Sequence, residues 1–455
     1  MASRMRSPAI ASIHQVKMNS QPEEILREIF KKCLDTHYPH LQPFLPTEAP
    51  MLLCRVCVLW RTIAVTTSEL WSRLSVSIGR EASEKLQPSP ELITTWIARS
   101  GCQPLTLVLK DWGLRSSGAD TVSHVLQLFV PHIHRWRSIT LVLPNHAFPT
   151  VLMGLDSGPS QLQVANFEFC SDPGLLVPGT PQIAGLAQLL TSSERLHTLY
   201  WRNDPRALHL VNFPWEHLTV VDLVPVWSPM SQILHLIEKA PKLRSLAAWI
   251  TGPFSPVLRP LLLPDLVILW IGSEVDIGPL FKRLTVPSLL NINVFCTKTM
   301  PPIPQRDVIN CITRSGSRLH CAVFVSLHIS ISDVVEFLRR SPSLLLFEIS
   351  DADEAVITDE ILGLLMASDT ACLCPNLRII RFLGSSLSST DGLLADMVAS
   401  RRTRRSIPAP VALLSRLVVH LSEADTLNHA EDIRRLKILA EAPDFRTWIN
   451  EPEAA

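Results

Sequence analysis

Glycine is scarce in this chain for its length, and net charge and long unbroken apolar stretches are absent. Its 455 residues hold 16 glycines, and neither a G-x-x-x-x-G-K-[ST] loop nor a G-x-G-x-x-G turn occurs, so a phosphate-cradling nucleotide site has nothing to rest on. Lys plus Arg and Asp plus Glu both number 42. That balance offers no general surface for nucleic acid or an anionic membrane. No apolar run reaches the roughly 18 residues of a membrane span, because the stretch 261–270 is broken by Pro264 and Asp265. Gly154-Leu155-Asp156-Ser157-Gly158 lacks the G-x-S-x-G spacing of a hydrolase elbow, and no catalytic residue is expected. The ten cysteines are scattered, with Cys57, Cys170, Cys296 and Cys321 in apolar company. This is the pattern of reduced core thiols in an intracellular protein. Cys54-x-x-Cys57 and Cys372-x-Cys374 with His132-x-His134 invite a zinc reading, but no second pair stands at ribbon spacing, so neither metal nor other cofactor is expected. Asp351-Ala352-Asp353-Glu354 lacks the Gly of a calcium loop and reads as a solvated loop.

Proline and leucine are abundant, and their spacing organises the chain. Of 36 prolines, many stand just ahead of a Leu-rich segment: Pro241-Lys242-Leu243, Pro264-Asp265-Leu266, Pro287-Ser288-Leu289, Pro342-Ser343-Leu344 and Pro375-Asn376-Leu377. A proline there ends a helix and lets an extended segment begin. The first leucines of these segments, Leu196, Leu218, Leu243, Leu266 and Leu289, are 22, 25, 23 and 23 residues apart, and Leu319, Leu344 and Leu377 come next at 30, 25 and 33. Leucine-rich repeats run at about 20 to 29 residues, each giving one strand to a parallel sheet and a helix or loop to its back.

Aligning the segments on that leucine sorts their columns. Five positions on stand Trp201, Leu223, Ala248, Ile271, Val294, Phe324, Ile349 and Phe382, all apolar; four positions on stand Tyr200, Asp222, Ala247, Trp270, Asn293, Val323, Glu348 and Arg381. One column reads as buried and its neighbour as outward, as a strand with one face on the core requires. Between the strands, 3.6-residue periodicity predicts helices over 182–192, 231–240, 277–284, 307–315, 332–340 and 358–367. Upstream, residues 90–101 read as a helix, and 104–109, 136–143 and 161–169 as strands. The expected architecture is therefore α/β with a curved parallel sheet.

The N-terminal quarter has a different pattern. Gln21-Pro22-Glu23-Glu24-Ile25-Leu26 opens a helix continued by Ile29-Phe30; Val56-Cys57-Val58-Leu59-Trp60-Arg61-Thr62-Ile63-Ala64 forms a second; Glu69-Leu70-Trp71-Ser72-Arg73-Leu74 closes the unit. Ser20 with Glu23 fits a capping box, and Leu53, Val56, Cys57, Trp60, Ile63 and Ala64 fit one buried helical stripe. This pattern resembles an F-box, the helical module that docks a substrate receptor onto the Skp-type adaptor of a cullin-based ubiquitin ligase. Trp96-Ile97-Ala98-Arg99-Ser100-Gly101 ahead of Pro104-Leu105 is similar to a segment of F-box proteins of mushroom-forming fungi. Two features depart from the family: Gln21 stands where Leu is usual, and residues 35–48 lengthen the loop between the helices.

The resemblance implies a non-catalytic receptor with a disordered segment 1–19, an F-box over 20–78, a joint over 79–90, an irregular leucine-rich-repeat solenoid over 91–422 and a helical cap and tail over 423–455. It implies adaptor contacts at Pro22, Ile25, Ile29, Leu53, Val56, Cys57 and Trp60, with Trp71 and Leu74 tying the box to the chain beyond it, and a cullin bound through the adaptor. A protein target would meet the outward column at Tyr200, Asp222, Trp270, Asn293, Glu348 and Arg381, with Trp249. A leucine-rich interaction scaffold acting outside any ligase is the alternative. Arg401-Arg402-Thr403-Arg404-Arg405, the one compact basic run, reads either as a solvated loop or as a contact for acidic or phosphorylated groups or a nuclear-import signal.

Overall fold

A computed structural model of the chain describes residues 21–34, 46–79, 86–111, 119–144, 158–170, 190–202, 215–252, 259–297, 305–350, 357–367, 372–384, 387–402, 411–421 and 423–449. Segment 1–19, Ser20, most of the 182–192 helix, the acidic run 351–354 and residues 403–405 lie outside them. The fold is α/β with parallel strand pairing, divided into two compact units, 1–162 and 163–455.

In the first unit, α1 (Glu23–Lys32), α2 (Leu53–Val56) and α3 (Val58–Thr66) precede three parallel strands, β1 (Arg73–Ile78), β2 (Leu105–Asp111) and β3 (Trp136–Pro144). The crossovers carry α4 (Pro90–Arg99) and α5 (Ala119–Phe129). Ser89 caps α4 by accepting the Leu92 N–H at 3.4 Å, and Pro90 fills the first helical position, where its missing N–H costs nothing. Trp71 is fully buried. It donates Nε1 to the Ala64 carbonyl at 2.8 Å, meets Trp96 of α4 edge-on at 4.9 Å and lies under the Arg99 guanidinium at 4.5 Å. Trp96 in turn donates to the Arg73 carbonyl at 2.9 Å. The two indoles thus lock α3, the start of β1 and α4 together, the tying role expected of Trp71.

The second unit lays eleven described strands side by side, each parallel to the next. They are β4 (Val164–Cys170), β5 (Thr198–Arg202), β6 (Val220–Pro229), β7 (Ser245–Thr251), β8 (Ile268–Ser273), β9 (Asn291–Cys296), β10 (Cys321–Val325), β11 (Leu346–Ser350), β12 (Ile379–Leu383), β13 (Arg416–Val419) and β14 (Arg446–Ile449). The connections hold α6 (Met230–Lys239), α7 (Gly278–Phe281), α8 (Arg306–Ser315), α9 (Ile331–Arg340), α10 (Asp359–Leu365), α11 (Leu393–Arg402), α12 (Glu423–Asn428) and α13 (Ala430–Leu439). The cap of α9 is Ser330 with Asp333 in a reciprocal capping box, one residue ahead of the helix.

The proline motif has a more specific role than ending helices. The N–H of Leu243, Leu266, Leu289, Leu344 and Leu377 bonds the carbonyl three residues back, on Ala240, Leu263, Val286, Ser341 and Cys374. Each proline therefore sits second in a β-turn, where its fixed φ is an advantage. The closing leucines of all eight registered segments are fully buried. Five positions on, the column from Trp201 to Phe382 is buried throughout, and Phe324 and Phe347 of the same face pack against Phe337 of α9 at 5.3 and 5.8 Å. The helices thus cover this face, at about 1.5–3 kcal/mol of transfer free energy per large buried side chain.

Arg401 corrects the reading of the basic run. Its side chain is buried at the end of α11, with Nε on the Leu365 carbonyl at 2.6 Å, Nη1 on the Cys374 carbonyl at 3.2 Å and Nη2 on the Leu373 carbonyl at 2.5 Å. Arg402 bonds the Leu414 carbonyl at 2.9 Å and Asp444 at 2.6 Å. These two arginines satisfy carbonyls at the ends of layers and are neither a solvated loop nor a free phosphate contact. Burial pulls the Arg401 guanidinium below its ordinary pKa, yet an Arg stays charged at neutral pH. An Arg401→Lys chain keeps the charge but cannot span three carbonyls, and we expect it to lose about 3 kcal/mol of stability, read as a lower urea midpoint at unchanged slope.

Candidate functional site

Two surfaces stand apart from the buried framework, one in each unit. In the helical module the expected single stripe is broken. Cys57 is extended, with φ −159° and ψ 173°, so α2 ends before it and α3 starts after it, with the Cys57 sulfur accepting the Trp60 N–H at 3.5 Å. The break resets the helical phase. Leu53, Ile63 and Ala64 point inward, Cys57 and Trp60 are half-buried, and Val56 turns to solvent. Trp60 meets Phe30 of α1 at 4.8 Å. Pro22 takes the N-cap position of α1, and one turn on, Ile25 is exposed while Ile29 is half-buried. The result is a concentration of exposed apolar side chains: Ile25 (48%), Leu52, Val56 (53%), Val58 (80%) and Leu59, five of the eleven large apolar residues exposed among the described residues.

In the second unit, strand alternation puts the predicted target contacts on the sheet face opposite the helices. Register aligns Tyr200, Asp222, Ala247, Trp270, Asn293, Val323, Glu348 and Arg381 across eight neighbouring strands. Their charges are largely compensated. Asp222 accepts from Arg202 Nε at 3.1 Å and from its Nη2, and also takes the Val224 N–H at 3.1 Å. Glu348, almost buried, accepts from Arg381 Nη1 and Ser350 Oγ, each at 3.1 Å. The Arg202 guanidinium also lies 5.1 Å from the Tyr200 ring.

Trp249 and Trp270 belong to a longer aromatic ladder. Trp227 meets Trp249 edge-on at 4.8 Å, Trp249 meets Trp270 at 5.7 Å, and Trp270 stacks on Phe295 at 4.7 Å. Gly272 makes this possible, since a Cβ there would fall on the indole of Trp249. Counting from the leading leucine missed Trp227 because β6 shifts register between Asp222 and Trp227. Phe295, Gly272 and Arg202 were within reach, because the column two residues beyond the outward one shares its face.

Among the described residues, one group has cation-ligating geometry: Asp391, His429 and Asp432, whose candidate atoms lie within 4.8 Å of one another. Its carboxylates are already engaged. Asp391 accepts the N–H groups of Glu431 and Asp432 at the start of α13, at 3.0 and 2.9 Å, and Asp432 accepts the Ala395 N–H of α11 at 2.7 Å and faces His429 Nδ1 at 3.0 Å. Burial raises the Asp391 pKa, but those N–H groups and His429 outweigh it, and its carboxyl lies below the ordinary range. The cluster clamps two helix N-termini. Burial pushes the thiols of Cys296 and Cys374 up to about 12 and that of Cys311 to about 11, which makes them poor nucleophiles and poor metal ligands. No helix among the described residues is long and apolar enough to cross a membrane. No family model matches the chain, and no curated protein matches it.

Thiol labelling of the native chain at pH 8 should modify the exposed Cys33 and Cys102 and leave Cys296, Cys311 and Cys374 unreacted until denaturant is added. Gly272→Ala should displace the Trp249 ring, costing about 1–3 kcal/mol and altering the near-ultraviolet circular dichroism of the coupled indoles.

Proposed function

We propose that the chain is the substrate-recognition subunit of an SCF-type E3 ubiquitin ligase, docking a Skp-type adaptor through an F-box at 20–78 and holding a protein target on the sheet face of its second unit. The observation that carries this reading is the exposed apolar set on the helical module: Ile25, Leu52, Val56, Val58 and Leu59. Large apolar side chains gathered in so short a stretch mark a surface that a partner covers. Two of them, Ile25 and Val56, are positions that the F-box resemblance assigns to the adaptor, and Trp60 and Ile29 border them half-buried. The second unit supports the receptor half of the reading. Its 22- to 33-residue layers, each led by a buried leucine, fit an irregular leucine-rich-repeat solenoid, an architecture whose open sheet face is a binding platform.

The mechanism is positional. The F-box anchors the receptor to adaptor and cullin, and the solenoid raises the effective concentration of target lysines near a separate ubiquitin-carrying enzyme. No residue of this chain forms a covalent bond in that scheme. The reading is tested by co-expression with a fungal Skp-type adaptor and pull-down, comparing the native chain with Ile25→Asp, Val56→Asp. Both side chains are exposed, so stability should stay within about 0.5 kcal/mol, while recovery of the adaptor should drop at least about tenfold. A folded native chain that recovers no adaptor overturns the proposal. An adaptor complex that supports no ubiquitin transfer when reconstituted with cullin would favour a ligase-independent scaffold.

A further inference from the structure

We propose that the aromatic ladder of β6 to β9, together with Glu274, is a binding site for an arginine- or lysine-bearing segment of a protein target. The proposal rests on the receptor reading of the second unit but not on adaptor docking. Four rings, Trp227, Trp249, Trp270 and Phe295, touch in sequence at 4.8, 5.7 and 4.7 Å on the face turned away from the helices. Trp227 is 41% exposed and the others are half-buried. A ring stripe alone suits many ligands, and charge decides among them.

Glu274 directly follows β8, and its carboxylate meets the hydroxyl of Thr251, two residues beyond Trp249 in β7, which puts it on the face of the rings. It is exposed, and it accepts the Thr251 hydroxyl from the neighbouring strand. Among the described residues no cation forms an ion pair with it, whereas Asp222 and Glu348 of the outward column are paired, with Arg202 and Arg381. The platform therefore joins electron-rich ring faces to a carboxylate that no cation among the described residues compensates. Both attract a cation, and the planar guanidinium of Arg stacks on an indole while donating to a carboxylate. Gly272 contributes by leaving the space that the Trp249 ring fills, which closes the stripe between β7 and β8. Neutral proline-rich or purely aliphatic segments would use the rings and leave Glu274 without a role.

The test uses the full chain and a blocked Gly/Ser peptide carrying two arginines, with a control in which both are glutamine, monitored by tryptophan fluorescence and calorimetry at low and high salt. The arginine peptide should bind, more weakly as salt rises, and the glutamine peptide should not. Glu274→Gln, a change at an exposed side chain, should weaken binding up to about fivefold, and Trp270→Ala about tenfold or more, with folding of both variants checked by far-ultraviolet circular dichroism. Equal binding of the two peptides, no binding of either to the folded native chain at millimolar concentration, or binding that neither substitution affects would overturn the proposal. Adaptor recovery is measured on the same Glu274→Gln and Trp270→Ala chains. Loss of peptide binding with adaptor retained matches the site as drawn, whereas arginine-peptide binding in a chain that recovers no adaptor retains this site and removes the ligase reading.

Discussion

The second unit depends on one constraint: a parallel strand can be reached only by a crossover, and each crossover must deliver the chain in register. A β-turn with proline in second place and a buried leucine at its end meets that need in layer after layer. The proline sets the turn geometry, the leucine anchors the turn in the core, and the next strand starts with its alternation already set. Because the side-chain period is two, a slip of one residue would send the column from Trp201 to Phe382 into solvent and bring Asp222 and Arg381 into the core.

Register then decides the chemistry of the open face. It sets Arg202 beside Asp222 and Arg381 beside Glu348, so most charge there is neutralised within the sheet. It also brings Trp249 against Gly272, and there the absence of a side chain is as important as the presence of the indole. In the helical module the governing feature is local: extended backbone at Cys57 divides one apolar run into two helices and turns Val56 outward.

Much of the fold was legible in the chain, for physical reasons particular to certain residues. The leucine spacing and the sorting of columns report burial directly, because hydrophobicity alternates with the pleat; the helices expected between the strands that fall on described residues begin within two residues of the periodic segments, as for 307–315 against Arg306–Ser315, whereas Ala119–Phe129 and Leu393–Arg402 were not expected. The candidate site was legible in part. Trp270 stood out by column and Trp249 was named beside it, but Trp227 was hidden by the register shift in β6, and the pairing of Glu348 with Arg381 could not be read from residues 33 apart. The basic run misled because composition counts charge, whereas Arg401 spends its guanidinium on carbonyls from α10 and residues 373–374.

The sequence by itself determined the α/β class, the parallel layering and which column of each strand faces the core, since these arise from local turn chemistry and from the period of hydrophobicity. Tertiary structure alone decided which strands are neighbours, which charges cancel, where the aromatic ladder runs and why Arg401 is buried. Those outcomes arise between residues brought together across layers, and the free energy of a cross-layer contact depends on the partner's position, which no single segment encodes.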